Sequence, residues 1–209
     1  MRACVRTPPV SSDRTPEHAR DESAGEILSF WFEESKPAQW FRRDPVFDET
    51  IRSRFGTLYE KACAGALDHW LEAPEPALAL IILLDQFSRN IHRDGAEAFD
   101  HDDKALAYAD RAIEAGHDKE APPAHRAFFY MPFMHAEDLT QQERCVALFT
   151  ERLPGSDNIR HAEEHRDIIR RFGRFPHRNA TLERSSTSEE IAFLEGGGFN
   201  PTGSKKSKQ

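Results

Sequence analysis

Residues 77–92 read ALALIILLDQFSRNIH, an unbroken apolar run of eight residues from Ala77 to Leu84 that passes directly into a polar stretch. Two turns of helix that are apolar on every side belong inside a protein core, so this segment predicts a central buried helix. The break APEP at 73–76 supplies its start. No apolar run is longer, and crossing a bilayer as a helix takes roughly twenty residues, so no membrane partner is expected.

The rest of the 209 residues agrees with a helical reading. There are 25 Ala and 14 Leu against only 4 Val. Ala and Leu lose little side-chain freedom in a helix, whereas Val loses χ1 freedom there. Start and stop signals divide the chain further. Ser23 and Glu26 form a capping box before Ile27, Leu28, Phe30 and Trp31. Asp44 before Pro45 is an N-cap with Pro in the first turn, opening a helix that carries Phe47, Ile51, Phe55, Leu58 and Tyr59. Asp100 with Asp103 opens the next helix, which ends at Gly116, and Pro122 and Pro123 open another. Thr140 with Glu143 and Thr187 with Glu190 are two further capping boxes, and Gly173 stops a helix that starts near Ser156. Pro132 should kink or stop the segment AHRAFFYMPFMH, whose phenylalanines 128, 129 and 133 read as core. The fold class is therefore all-α, with short connections that favour antiparallel helix pairs. One helical domain is expected over 23–195, between polar tails at 1–22 and 196–209 with little to bury.

Charge and cysteines restrict the function classes. Lys plus Arg is 28 and Asp plus Glu is 36, a net charge of −8, without the basic footprint of a nucleic-acid reader. Three well-separated cysteines, Cys4, Cys63 and Cys145, with no CxxC pair, point to a reducing cytoplasmic setting.

Four stretches hold residues capable of chemistry. In LLDQFSRNIHR, helical spacing puts Asp85, Arg89 and His92 on one face and Gln86, Asn90 and Arg93 on the next. A polar stripe continuing a buried helix must emerge into solvent or line a polar cavity supplied with carboxylates or an anionic ligand. In HRAFFYMPFMHAEDL, Tyr130 and His135 stand near Glu137 and Asp138, an acid/base arrangement for His135. HAEEH, His161 to His165, has zinc-like spacing with Glu164 as base, but a catalytic zinc needs a third ligand and little chain follows to supply one. No metal and no cofactor are expected. In HRDIIRRFGRFPHRNATLERSSTSEE, the residues Arg174, His177, Arg178 and Asn179 sit on a loop before the amides of the final helix, a setting for an anion or for an acidic side chain of the chain itself.

The runs ILSFWFEE, WFRRDPVFDETIRSRF, LLDQFSRNIHR, AFDHDDKALAYA, MPFMHAEDLTQQERCVALF and HRDIIRRFGRFPHRNATLERSSTSEE resemble the bacterial family catalogued as domain of unknown function 924, in consistent order over residues 26–199. The resemblance implies a cytoplasmic, tetratricopeptide-like arrangement of helix pairs in a compact right-handed superhelix or bundle, and no activity, cofactor or partner. His165, Arg174, His177, Arg178 and Asn179 match the family motif, and His161 does not. Ser88 and Ser188 stand where the family usually has Pro, and Glu183 where it has Gly. Ser88 should relax the helix there, and Glu183 argues against a tight turn with positive φ.

These readings converge on one expectation. A cleft walled by Arg89, Asn90, His92, Arg93, Tyr130, Arg174, Arg178 and Asn179, with His135 or His177 as acid/base, receives a small anionic molecule or an acidic peptide. The alternatives are a hydrolase or lyase-type enzyme using one of those histidines with an arginine clamp, and a structural or protein-interaction scaffold.

Overall fold

The structure, a computed structural model, describes residues 22–198; the N-terminal tail and most of the C-terminal tail lie outside the described residues. Among these the regular structure is helical throughout: α1 (Glu22–Ser29), α2 (Pro37–Trp40), α3 (Pro45–Cys63), α4 (Pro74–Ile82), α5 (Ser88–Ile91), α6 (Asp102–Glu114), α7 (His117–Glu120), α8 (Pro123–His135), α9 (Leu139–Arg152), α10 (Asn158–Phe172) and α11 (Ser188–Glu195). No described helix is long and apolar enough to cross a membrane.

The apolar run behaves as its composition demands. Every residue from 77 to 88 is buried, and α4 continues without a break through a single π turn, Leu83–Phe87, into α5. Phe87 anchors this axis in an aromatic cluster, with ring centroids 5.4 Å from Trp31, 5.1 Å from Phe55 and 6.1 Å from Phe30. Offset and edge contacts of this kind add to the burial of large rings. Around the axis, α8 packs on α9 and α9 on α10; the short links 136–138 and 153–157 make these neighbours antiparallel. Phe128, Phe129 and Phe133 are core, as their sequence setting suggested.

Some local signals were obeyed, whereas Ser23 lies inside α1 and α6 starts after His101 with no side-chain cap, so neither Ser23 nor Asp100 acts as the predicted cap. Asp44 accepts from the amides of Val46 and Phe47 with Pro45 in the first turn, Thr187 and Glu190 form the reciprocal capping box, and Gly173 ends α10 at φ 69°. Elsewhere the structure differs from expectation. Asp138, not Thr140, caps α9, because its carboxylate reaches the Gln141 amide at 2.9 Å. Pro132 does not stop α8, which runs on to His135. So near the C-terminal end the proline removes one ladder bond, and the flanking buried phenylalanines hold the turn. Ser88 does not leave a regular helix behind it: the turn preceding it is π, and the Ser88 amide points to the Gln86 carbonyl.

Glu183 also overturns its expectation, since it adopts φ 52°. The Arg184 amide donates to the Asn179 carbonyl at 2.8 Å, the six-to-one closure that places a left-handed residue just before the donor. The turn thus forms in spite of the side chain, at a local steric cost. Glu183→Gly is expected to raise stability by about 0.5–1 kcal/mol, measured as a higher urea midpoint with unchanged slope; a lower midpoint would count against this account.

Candidate functional site

Three separate parts of the chain meet beside the end of the central axis: the π turn and α5, the C-terminal end of α8, and the loop after Gly173. His135, the last residue of α8, donates from Nδ1 to Oδ1 of Asp85 at 2.7 Å. Its sequence neighbours Glu137 and Asp138 are not its partners. Glu137 instead accepts from Arg184 (2.6 and 2.9 Å) and from the Phe175 amide (2.7 Å), pinning the loop to the end of α8. Arg184 and that amide, opposing the effect of burial, hold the Glu137 carboxyl below its ordinary range.

Asp85 is 1 % exposed. Burial alone would raise its pKa, but the charge of Arg89, the adjacent His135 and the hydrogen bonds from His135 and Gln86 outweigh it and hold the carboxyl at about 2. Arg89 spans the cluster: Nη1 donates to the Asp85 carbonyl at 2.7 Å and to Oδ1 of Asp102 at 2.9 Å, and Nη2 donates to Oδ2 of Asp102 at 3.1 Å. Arg178 shares the same carboxylate, with Nη1 3.2 Å from Asp102, while its Nη2 donates to the His135 carbonyl at 3.0 Å. Its guanidinium lies against two rings, 4.6 Å from the centre of Phe99 and 4.7 Å from that of Phe175. Burial and the neighbouring charge of Arg89 lower the Arg178 pKa to about 10, so it remains a cation at neutral pH.

His177 and His165 complete the cluster around Phe175, their rings 5.5 and 5.6 Å from it. Burial, then the charge of Arg178, pushes His177 down to about 3. Burial does the same to His165, also to about 3, against a hydrogen bond from its Nδ1 to the His161 carbonyl at 2.6 Å. Both are neutral imidazoles at physiological pH. His161 is half exposed, and no group of three or more His, Cys, Asp or Glu is placed to hold a metal ion among the described residues.

Of the residues singled out from sequence, Arg89, His135, His177 and Arg178 are therefore brought together. The others have different surroundings. Asn90 and Arg93 both donate to Asp48, at 2.8 Å and at 2.5 and 2.6 Å. His92 faces Tyr59 at 5.4 Å between ring centres. The Tyr130 hydroxyl donates to Asp118 at 2.6 Å deep in the core. Arg174 forms a two-pronged pair with Glu190 (2.7 and 2.9 Å), and Asn179 donates to the Ser186 hydroxyl at 3.0 Å. The acidic partner at the start of the final helix is thus one of the chain's own side chains. Two hollows of about 360 Å³ lie along α10 and α11, one over Ile168, Arg171, Phe172 and Phe193 and the other between Arg171, Arg174, Thr187 and Glu190.

Sequence reasoning gave little weight to Asp102, Gln86, Phe99 and Phe175. Asp102 lies between Asp100 and Asp103, the two residues read as the helix start, and was not itself singled out. The signal available for Asp85 was a carboxylate immediately after eight apolar residues, which is tolerated only with dedicated partners.

Comparison with known proteins gives the following. The family model described as "Bacterial protein of unknown function (DUF924)" matches residues 27–198. The solved structure of a protein of unknown function from Agrobacterium tumefaciens is similar, with 45 % identity and a TM-score of 0.79, covering 83 % of this chain and 97 % of that one. No curated protein matches. A family model that spans most of the chain, together with a structural relative of this identity, gives its membership: the chain belongs to the DUF924 family of bacterial proteins.

Proposed function

We propose that this protein acts on a small anionic molecule by proton transfer at His135. The observation that carries this reading is the 2.7 Å bond from His135 Nδ1 to an Asp85 carboxylate that is itself 1 % exposed. A buried carboxylate on one ring nitrogen fixes the tautomer and leaves Nε2 as the nitrogen that takes or gives a proton. The His135 side chain is 19 % exposed, so the ring is within reach of a ligand. Arg89 and Arg178 are the cations that would share a substrate carboxylate or phosphate with Asp102. The free thiols Cys63 and Cys145 support a reducing, cytoplasmic setting. The same reading takes residues 23–195 as one working unit of tetratricopeptide-like helix pairs.

A second reading, a structural scaffold, is favoured by one fact: Arg89, Arg93, Arg174 and Arg178 each have a carboxylate partner inside the protein. The two readings separate on His135. Diethyl pyrocarbonate, with sites mapped by mass spectrometry, is expected to modify His135. In a panel of small carboxylates and phosphates, a compound that raises the melting temperature should slow that modification. His135→Gln should abolish the response, and any turnover of that compound should fall by about 10²–10⁴-fold. An unreactive His135, or a ligand response unchanged in the variant, would favour the scaffold.

A further inference from the structure

The backbone leaves α-helical geometry where the buried carboxylate sits. Leu83–Phe87 forms a π turn, a conformation found mostly as single turns and often at functional positions. Asp85 is its middle residue, and its carbonyl accepts from the Arg89 guanidinium (2.7 Å) and the Ser88 hydroxyl (3.3 Å). The two carboxylate oxygens are divided between two donors. Oδ1 accepts from His135, and Oδ2 accepts from the side-chain amide of Gln86 at 2.5 Å. Gln86 is 5 % exposed, and its amide nitrogen also lies 3.5 Å from the sulfur of Met131, on the helix that carries His135. Consecutive residues of a regular α-helix do not face each other; here, in the widened turn, residues 85 and 86 are bonded side chain to side chain.

We infer that Gln86 is a positioning residue for His135, holding Asp85 in the orientation that keeps the proton on Nδ1 and leaves Nε2 free. The inference rests on the reading of His135 as the proton-transfer group. The competing partner is Arg89, whose Nη1 is 3.8 Å from Oδ1 of Asp85. A guanidinium is the stronger partner for a carboxylate. Without a donor on Oδ2, the carboxylate gains by turning toward Arg89, which satisfies the otherwise unpaired buried oxygen. Gln86 supplies that donor while adding no charge, so the negative charge of Asp85 stays with the imidazole.

The test is Gln86→Met, which keeps length and apolar contacts and removes only the amide. Side-chain ¹⁵N resonances report which nitrogen of the neutral His135 ring carries hydrogen. The wild type should be almost entirely Nδ1–H. In the variant the ratio of Nδ1–H to Nε2–H should fall by about tenfold, the size of change that loss of one charge-assisted hydrogen bond produces. An unchanged ratio in a folded variant overturns the inference and leaves Gln86 as packing alone. If Gln86→Met does not fold, Gln86→Leu replaces it, apolar, of similar volume and also without the amide. The same tenfold fall in the ratio is expected, and an unchanged ratio overturns the inference. None of these readouts needs a substrate. A normal tautomer response with no effect of His135→Gln on ligand or turnover would remove the proton-transfer reading and leave the positioning intact.

Discussion

Replacing Asp118 with alanine is expected to cost about 3–5 kcal/mol, the penalty for removing one partner of a buried charge pair. Asp118, on the short helix α7, is fully buried. Its Oδ2 accepts from the Tyr130 hydroxyl on α8 and from Nη1 of Arg152 at the end of α9, both at 2.6 Å. Three helices are thus joined through one oxygen atom. Truncation leaves a guanidinium that is mostly buried and a phenol hydroxyl that is wholly buried, both without their acceptor. The loss exceeds the modest net value of an ordinary hydrogen bond because the orphaned groups bear their desolvation cost. The melting temperature should fall by about 10–15 °C, given roughly 2–4 °C per kcal/mol for a chain of this size. Tyr130→Phe removes one donor and leaves the Arg152 pair, so about 1 kcal/mol is expected. Urea unfolding followed by circular dichroism measures both. Equal small losses in the two variants would show that the Asp118 to Arg152 contact contributes little.

Acid unfolding should be steep, and its origin is specific. His165 and His177 are held near 3 in the folded protein, first by burial, against an ordinary value of 6.5. A folded pKa below the unfolded one means that the unfolded chain binds more protons between those values. The contribution of these imidazoles is therefore complete above pH 6.5 and is lost as pH falls toward 3. Each adds a slope of up to about 1.4 kcal/mol per pH unit, so the pair should remove about 3 kcal/mol between pH 6.5 and 5. The carboxyls of Asp85 and Glu190, both held at about 2, act in the same direction but lower: their contribution is complete above their ordinary values near 4 and lost below them. The slope should therefore steepen near pH 4, where the carboxylates begin to add to the histidines. Urea unfolding at half-unit steps from pH 7.5 to 3 measures it. His177→Gln, which cannot take a proton in this range, should halve the slope between pH 6.5 and 5. A flat profile there would mean that these rings protonate without unfolding the protein.

The sequence was most legible where a single turn of chain contains all the relevant chemistry. A carboxylate or hydroxyl bonding an amide two or three residues on is a local event, which is why Asp44, Thr187 and Gly173 behave as expected. Asp138 displaced Thr140 because two competent capping residues stood close together, and the backbone settled on the first. The candidate site was only half legible for the opposite reason. The residues that could form an ionic cluster were visible, but the choice of partner is decided by chain separations of 13 residues for Arg89 with Asp102, 45 for Arg93 with Asp48 and 76 for Arg178 with Asp102. No local pattern encodes those choices. Regular helical spacing also put Asp85, Arg89 and His92 on one face, whereas the widened turn gives Asp85 to His135 and leaves His92 beside Tyr59. The overlooked half was the partner carboxylates Asp48 and Asp102, because acidic residues in a chain of net charge −8 read individually as surface.

The central axis carries a spare residue. Deleting one amino acid from Leu83–Phe87 would allow an uninterrupted ladder of ordinary helical bonds and so a more regular rod. Such a deletion takes out the extra residue of the widened turn, so Arg89, Asn90 and Arg93 would stay close to their carboxylates while residues 85 and 86 would no longer meet side chain to side chain. The same deletion in the regular helix before it, Pro74–Ile82, would turn everything downstream by about 100° and shift three attachments to carboxylates at once while every side chain in them is retained.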